Sequence, residues 1–125
     1  MNILIVEDNE ALAQTTGWIV EMFGHDYRFS HDAGSAIATA ADYKPHVIIM
    51  DIGLPGMSGY DLCRQMRADP ALSQTIFIAQ TGRSEPEHRQ MAEDAGFHHH
   101  IVKPANIEKL QALLDDIAQS LSSAA

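Results

Sequence analysis

Cysteine is nearly missing. Cys63 stands alone, so no internal disulfide can form, and a reducing compartment, the cytoplasm, is expected. Long apolar runs are missing too. No stretch approaches the ~20 residues needed to cross a bilayer, and Met1-Asn2 opens without the basic leader of an export signal. No membrane partner is expected. Basic residues are scarce: Lys and Arg total 8 against 17 Asp and Glu, a net charge of -9. That balance argues against holding nucleic acid by its phosphates. Repeats and low-complexity linkers are absent as well. The composition that remains is ordinary, 46% hydrophobic over 125 residues. It suits one domain that buries roughly 65–70% of its unfolded surface. The domain is placed at residues 1–121, and the small polar tail 122–125 is expected to fray.

Ile3-Leu4-Ile5-Val6 and Val47-Ile48-Ile49-Met50 are unbroken apolar runs. Their length suits strands buried on both faces. Residues 75–80 and 99–102 read as two more strands, and Asp26 to Ser30, with Tyr27 and Phe29 alternating, as a half-exposed one. Helical periods fill the gaps. Leu12, Thr16, Ile19, Val20 and Phe23 recur before Gly24, with Asp8 or Asn9 as the cap. Ala33 to Ala41 is Ala-rich, with Ile37 expected to pack inward. Leu62, Cys63 and Met66 share a face behind Ser58 and Asp61, which makes Cys63 a small core residue rather than a reactive thiol. Met91, Ala92 and Ala95 line the next helix, which the capping box Ser84-Glu85-Pro86-Glu87 opens. Leu110, Leu113, Leu114, Ile117 and Leu121 give the last, capped by Asn106. Strand followed by helix, repeated with short joints, predicts an α/β fold. Its parallel sheet carries helices on both faces and right-handed crossovers.

Ligands of such sheets sit beyond the carboxyl ends of the strands. Strand 1 ends in Glu7-Asp8, strand 3 in Asp51, strand 4 in Thr81 and strand 5 in Lys103. Strand 2 adds no group, and His100 is the nearest histidine. Adjacent acids repel by about a kcal/mol or more at short range, and capping a helix explains only one of them. Asp51 runs into Gly53, Pro55 and Gly56, residues that force a loop. Three carboxylates against one ammonium leave surplus negative charge, which a divalent cation relieves. All-oxygen donors favour Mg²⁺ over Zn²⁺. A carboxylate beside Mg²⁺ can attack phosphorus, with a Lys and a Thr placed for the oxygens of the transferring group.

On these residues the chain resembles the receiver domains of two-component response regulators. The likeness rests on Ile-Val-Glu-Asp-Asn at 5–9, Met-Asp-Ile-Gly-Leu-Pro-Gly-Met-Ser-Gly at 50–59, Gln-Thr-Gly at 80–82 and Val-Lys-Pro at 102–104. Each piece is weak alone; in this order, each at a strand end, they are specific. The likeness runs from Ile3 to about Leu121. It implies a flavodoxin-like, doubly wound five-stranded sheet in the order 2-1-3-4-5. It implies Asp51 as phosphoacceptor, Asp8 as a direct Mg²⁺ ligand, Glu7 acting on the metal through water, and Gly53 offering its backbone carbonyl. Thr81 would be the switch hydroxyl and Lys103 the phosphate-binding ammonium. The Lys103–Pro104 bond would be cis, and Arg83 would tune the lifetime of the phosphoryl group. The implied partners are a sensor histidine kinase or a His-phosphotransfer protein, and a downstream protein reached through the helix 4–strand 5–helix 5 face. The domain would catalyse its own phosphorylation and slow dephosphorylation, as a monomer or a phosphorylation-dependent dimer.

One position departs from the family pattern. His100 stands where a Tyr or Phe usually acts as a rotating switch, and imidazole is smaller, more polar and titrates near neutral pH. The run His98-His99-His100 is not expected to hold a metal, because strand neighbours point to opposite faces. Alternatives are weaker. A non-phosphorylated interaction module of the same fold has no need of the acids, Thr81 and Lys103 together. A Mg²⁺ phosphohydrolase needs an acid two residues after the nucleophile, where Gly53 stands. A nucleotide binder needs a glycine-rich loop where Glu7-Asp8 stands. Whether the domain acts alone or within a larger kinase or regulator is left open by the resemblance.

Overall fold

The computed structural model describes residues 1–82, 86–103 and 106–123. In chain order the elements are β1 (Asn2–Val6), α1 (Glu10–Met22), β2 (Asp26–Ser30), α2 (Ala33–Tyr43), β3 (Val47–Asp51), α3 (Gly59–Arg67), a 3-10 turn (Pro70–Leu72), β4 (Ile76–Thr81), α4 (Pro86–Ala95), β5 (His99–Val102) and α5 (Ile107–Ser123). The strands pair in parallel in the order β2-β1-β3-β4-β5. This is the flavodoxin-like arrangement that the sequence implies.

Successive strand side chains point to opposite faces, and here both faces are covered. Leu4, Val6, Ile48, Met50 and Phe77 pack with Ala36, Leu62, Cys63 and Ala92 from α2, α3 and α4. Ile3, Ile5, Val47, Ile49 and Ile78 pack with Ala13, Val20, Leu110, Leu114 and Ile117 from α1 and α5. Burying each large apolar side chain contributes roughly 1.5–3 kcal/mol, which is why the unbroken runs occupy the middle of the sheet. Cys63 is fully buried, and burial pushes its thiol up to about 12 against the pull of Arg67 and Arg64.

The helix caps divide the acids near the site. Asn9 Oδ1 accepts from Leu12 N–H at 3.0 Å, so Asn9 and not Asp8 caps α1. Ser58 Oγ accepts from Asp61 N–H at 3.2 Å, and Asn106 Oδ1 from Lys109 N–H at 3.1 Å. The capping box proposed at 84–87 rests on residues outside the described set.

Two inward positions are corrected. Ile37 is 37% exposed and Met91 47% exposed. The buried faces of α2 and α4 belong to Ala36, Ala40, Ala92 and Ala95, whose small side chains let the helices sit close to the sheet. Helix α5 continues to Ser123, past Leu121, where the sequence places the end of the domain. Among the described residues no helix is long and apolar enough to cross a membrane.

Candidate functional site

The carboxyl ends of the central strands lie side by side. Val6 of β1 faces Met50 of β3, Asp51 faces Gln80 of β4, and Thr81 faces Val102 of β5. After β1 the chain turns to α1 on one face of the sheet; after β3 it turns to α3 on the other. A crevice opens where the two directions part. Glu7 and Asp8 enter it from β1, and Asp51 from β3.

The turn after Asp51 is held tightly. Gly59 N–H donates to the Ile52 carbonyl at 2.8 Å. A Cβ at Gly59 would stand 2.5 Å from the Asp51 carbonyl oxygen and 2.7 Å from Ile52 Cα. Only glycine lets α3 begin so close behind Asp51. Gly56, at φ 82°, supplies the left-handed step of the same turn.

Lys103 joins the two buried acids. Its Nζ lies 2.7 Å from Glu7 Oε1 and 3.0 Å from Asp51 Oδ1. Gly53 N–H donates to Asp51 Oδ1 at 3.1 Å, and Asn9 N–H donates to Glu7 Oε2 at 3.3 Å. Lys103 N–H donates to the Thr81 carbonyl at 2.7 Å, so the ammonium and the hydroxyl belong to backbones that are bonded directly. Glu7, Asp51 and Thr81 are buried, whereas Asp8 is exposed.

Burial and charge pull the groups apart in acidity. Burial pushes Glu7 up to about 7, and the Lys103 ammonium offsets only part of that rise. Burial also works to raise Asp51, but hydrogen bonds from Glu7, Lys103 and Gly53 outweigh it and hold the carboxyl below its usual range. Of the pair, Glu7 is thus the more basic group and Asp51 the more acidic. Burial would lower Lys103; the two carboxylates reverse that and hold the ammonium above its ordinary value.

Carboxylate oxygens of Glu7, Asp8 and Asp51 lie within 4.8 Å of one another. Such a set of hard oxygen donors, with more negative charge than Lys103 offsets, fits Mg²⁺. The structure thus gathers Glu7, Asp8, Asp51 and Lys103, with Thr81 at the adjoining strand end. Gly53 touches the set through its N–H, donated to Asp51. His100 is paired with Ala79 in the sheet and borders a cleft with Arg89, Ala92 and Glu93 of α4. The three consecutive histidines form no ligand group among the described residues. Arg83 and Pro104 lie outside the described residues, and with them the expectations for phosphoryl lifetime and for a cis bond.

Among the described residues strand 2 adds no carboxylate or histidine to the ligand set, but it borders the set through the backbone of Glu7. The Ser30 carbonyl accepts from Glu7 N–H at 3.0 Å, and His31 Nδ1 stands 2.8 Å from the Glu7 carbonyl oxygen. His31 touches the acidic pair at the Glu7 carbonyl. Register was the signal that could have found it: once Ser30 pairs with Val6, His31 falls beside Glu7.

The response regulator receiver domain family matches residues 3–115, and the chain belongs to that family. The two-component response regulator PhoP of Pseudomonas aeruginosa is 30% identical over 122 residues, covering 98% of this chain and 53% of PhoP. YkoG of Bacillus subtilis, an uncharacterized transcriptional regulatory protein, is 32% identical over 111 residues, covering 89% of this chain and 48% of YkoG. The chain thus spans about half the length of these relatives. Among solved structures, the chemotaxis response regulator CheY4 of Vibrio cholerae superposes with a TM-score of 0.86 at 26% identity, over 93% of this chain and 97% of that one. The signal receiver domain of a signal transduction histidine kinase from Syntrophus aciditrophicus superposes with a TM-score of 0.86 at 28% identity, over 95% and 90%.

Proposed function

We propose that this receiver domain takes a phosphoryl group onto Asp51 from the phosphohistidine of a sensor kinase or a His-phosphotransfer protein. The observation that carries the reading is Lys103 Nζ seated between Glu7 and Asp51, with Asp8 beside them. Residues distant in the chain meet there at a cost in desolvation that packing does not require.

A carboxylate oxygen of Asp51 attacks phosphorus, the P–N bond to the donor imidazole breaks, and its electron pair returns to nitrogen. An acyl phosphate forms on Asp51. Asp51 suits the role because Lys103 and the Gly53 N–H help hold its carboxyl below the usual range, on the ionised side. Gly53 N–H and Lys103 fix one carboxylate oxygen and so the plane of attack. Glu7, Asp8 and Asp51, with the Gly53 carbonyl, would hold Mg²⁺, which when bound neutralises charge on the transferring group. Lys103 then pairs with the phosphoryl oxygens and the Thr81 hydroxyl turns to one of them. Phosphorylation adds about -1.5 to -2 charges, and the rearrangement of Thr81 and Lys103 passes to the α4–β5–α5 face through His100. That face meets the downstream protein, and the whole cycle takes place in the cytoplasm.

The test is phosphorylation by a small acyl phosphate in the presence of Mg²⁺, read by intact mass. The chain is expected to gain one phosphoryl group, and Asp51→Asn none. Full labelling of the variant would refute Asp51 as the acceptor.

A further inference from the structure

We propose that His31 is a positioning residue for the cation site, setting the direction in which Asp8 leaves β1. The inference rests on the phosphoacceptor reading above and adds a group that is not a ligand. The ligand oxygens that gather are those of Glu7, Asp8 and Asp51; His31 acts on them through the backbone.

The rungs between β1 and β2 show what His31 replaces. Asp26 N–H donates to the Met1 carbonyl at 3.0 Å, and Glu7 N–H to the Ser30 carbonyl at 3.0 Å. In a parallel pair, a residue that donates to one partner accepts from the partner two places further on. The donor due at the Glu7 carbonyl is therefore Asp32 N–H. At Asp32, however, the chain already turns into α2: Asp32 is its N-cap, and its Oδ1 accepts from Ser35 N–H at 2.7 Å. The imidazole of His31 fills the place instead, with Nδ1 at 2.8 Å. A carbonyl only accepts, so Nδ1 carries the hydrogen.

The ring that makes this bond is itself held. It lies against Phe29, centroids 6.3 Å apart and planes at 25°, and Phe29 lies against Tyr27 at 5.1 Å. Gly17 of α1 makes room for this row, since a Cβ there would stand 2.7 Å from the Tyr27 ring. A line of aromatic rings along β2 thus ends on the carbonyl of Glu7.

That carbonyl matters because the peptide unit is planar. The Glu7 C=O and the Asp8 N–H belong to one rigid plane, so fixing the oxygen fixes where the Asp8 Cα begins. Glu7 needs little help: it is buried and bonded to Lys103. Asp8 is the exposed member of the pair, and its cap role has gone to Asn9. Its side chain meets that of Glu7, and the direction in which it leaves the strand is set by the backbone that His31 holds at the Glu7 carbonyl.

The experiment titrates the unphosphorylated chain with Mg²⁺ and follows the amide resonances of Asp8 and Asp51 by NMR. His31→Phe keeps a ring against Phe29 but loses the N–H; His31→Asn puts an amide N–H near the place of Nδ1. The expected result is about a tenfold loss of Mg²⁺ affinity in His31→Phe, at the lower end of losses for groups that orient ligands. The Asp8 amide is expected to shift in that variant before Mg²⁺ is added, and His31→Asn to recover most of the affinity. A purely structural His31 would lower the melting temperature and leave Mg²⁺ affinity unmoved, which would overturn the inference. Equal affinities of His31→Phe and His31→Asn would overturn it as well. Should His31→Phe not fold, His31→Leu set against His31→Asn gives the same comparison. Wild-type protein that binds no Mg²⁺ would overturn the cation site itself, an outcome separate from a wild-type site that ignores His31.

Discussion

The two ends of the sheet solve opposite problems. At the carboxyl ends, Glu7 and Asp51 are buried around the Lys103 ammonium. At the amino ends, uncharged imidazoles meet the backbone: His46 Nδ1 accepts from Asn2 N–H at 2.9 Å, and His98 Nδ1 from Phe77 N–H at 3.0 Å. A neutral acceptor satisfies a strand end without moving an ion out of water. Burying ions costs several kcal/mol each even after relaxation. The amino end is built the way stability alone would build it. The carboxyl end is not, and that excess is what marks it as the candidate functional rim.

The comparison can be broken most sharply at Lys103. Lys103→Ala removes the cation that both buried acids share. It is expected to leave Mg²⁺ binding in place and to abolish the response of the α4–β5–α5 amides to beryllofluoride. An unchanged response would deny Lys103 its part in the switch. Next in size is Gly59→Ala. The atoms its methyl would meet are backbone and cannot step aside, so a loss of about 1–3 kcal/mol is expected from urea denaturation. A neutral outcome would show that the turn behind Asp51 is not tightly set.

A smaller effect is expected at the amino end, through pH. Burial, with Arg67 and His99 nearby, holds His98 below its ordinary 6.5. Phe77 N–H and Arg67 Nη1, the latter 2.8 Å from Nε2, already compete for the one bare nitrogen of a neutral ring. The unfolded chain therefore takes up this proton first. The stability His98 contributes is complete above about 6.5 and is lost as pH falls through that value toward the lower folded-state pKa. Melting temperature should drop on acidification over this range, and His98→Asn, which keeps an acceptor for Phe77, should flatten the slope. The smallest expected effect is none at all: Cys63, fully buried and pushed up to about 12, should resist thiol reagents in the native protein at mild alkaline pH. Rapid labelling would mean that the face packed by α3 opens readily.

Much of the carboxyl end was legible in the sequence, because its signals are local. Val47 to Met50 is a continuous apolar run that ends on an acid, and a strand buried on both faces leaves that acid only the rim. Glu7, directly after β1, and Thr81, the last residue of β4, are brought to the rim in the same way. The parallel topology then brings these ends together without any knowledge of side-chain contacts. His31 was not legible in this way. It works by reaching from one strand to the carbonyl of the next, and no periodicity encodes such a reach. Which residue capped α1 was likewise open, since Asp8 and Asn9 have equivalent chemistry and only the turn geometry chooses. Ile37 and Met91 misled for another reason: alanines carry the packing of α2 and α4, so the large apolar side chains face solvent.

The central claim is that side chains from separate strand ends act as one cation-assisted phosphoacceptor. Beryllofluoride, added with Mg²⁺ and followed through the amides of Gly53, Thr81 and Lys103, tests it most directly. Saturable shifts at all three in the wild type, lost in Asp51→Asn, are the predicted result. Shifts that are absent from the wild type, or that persist unchanged in the variant, would contradict it.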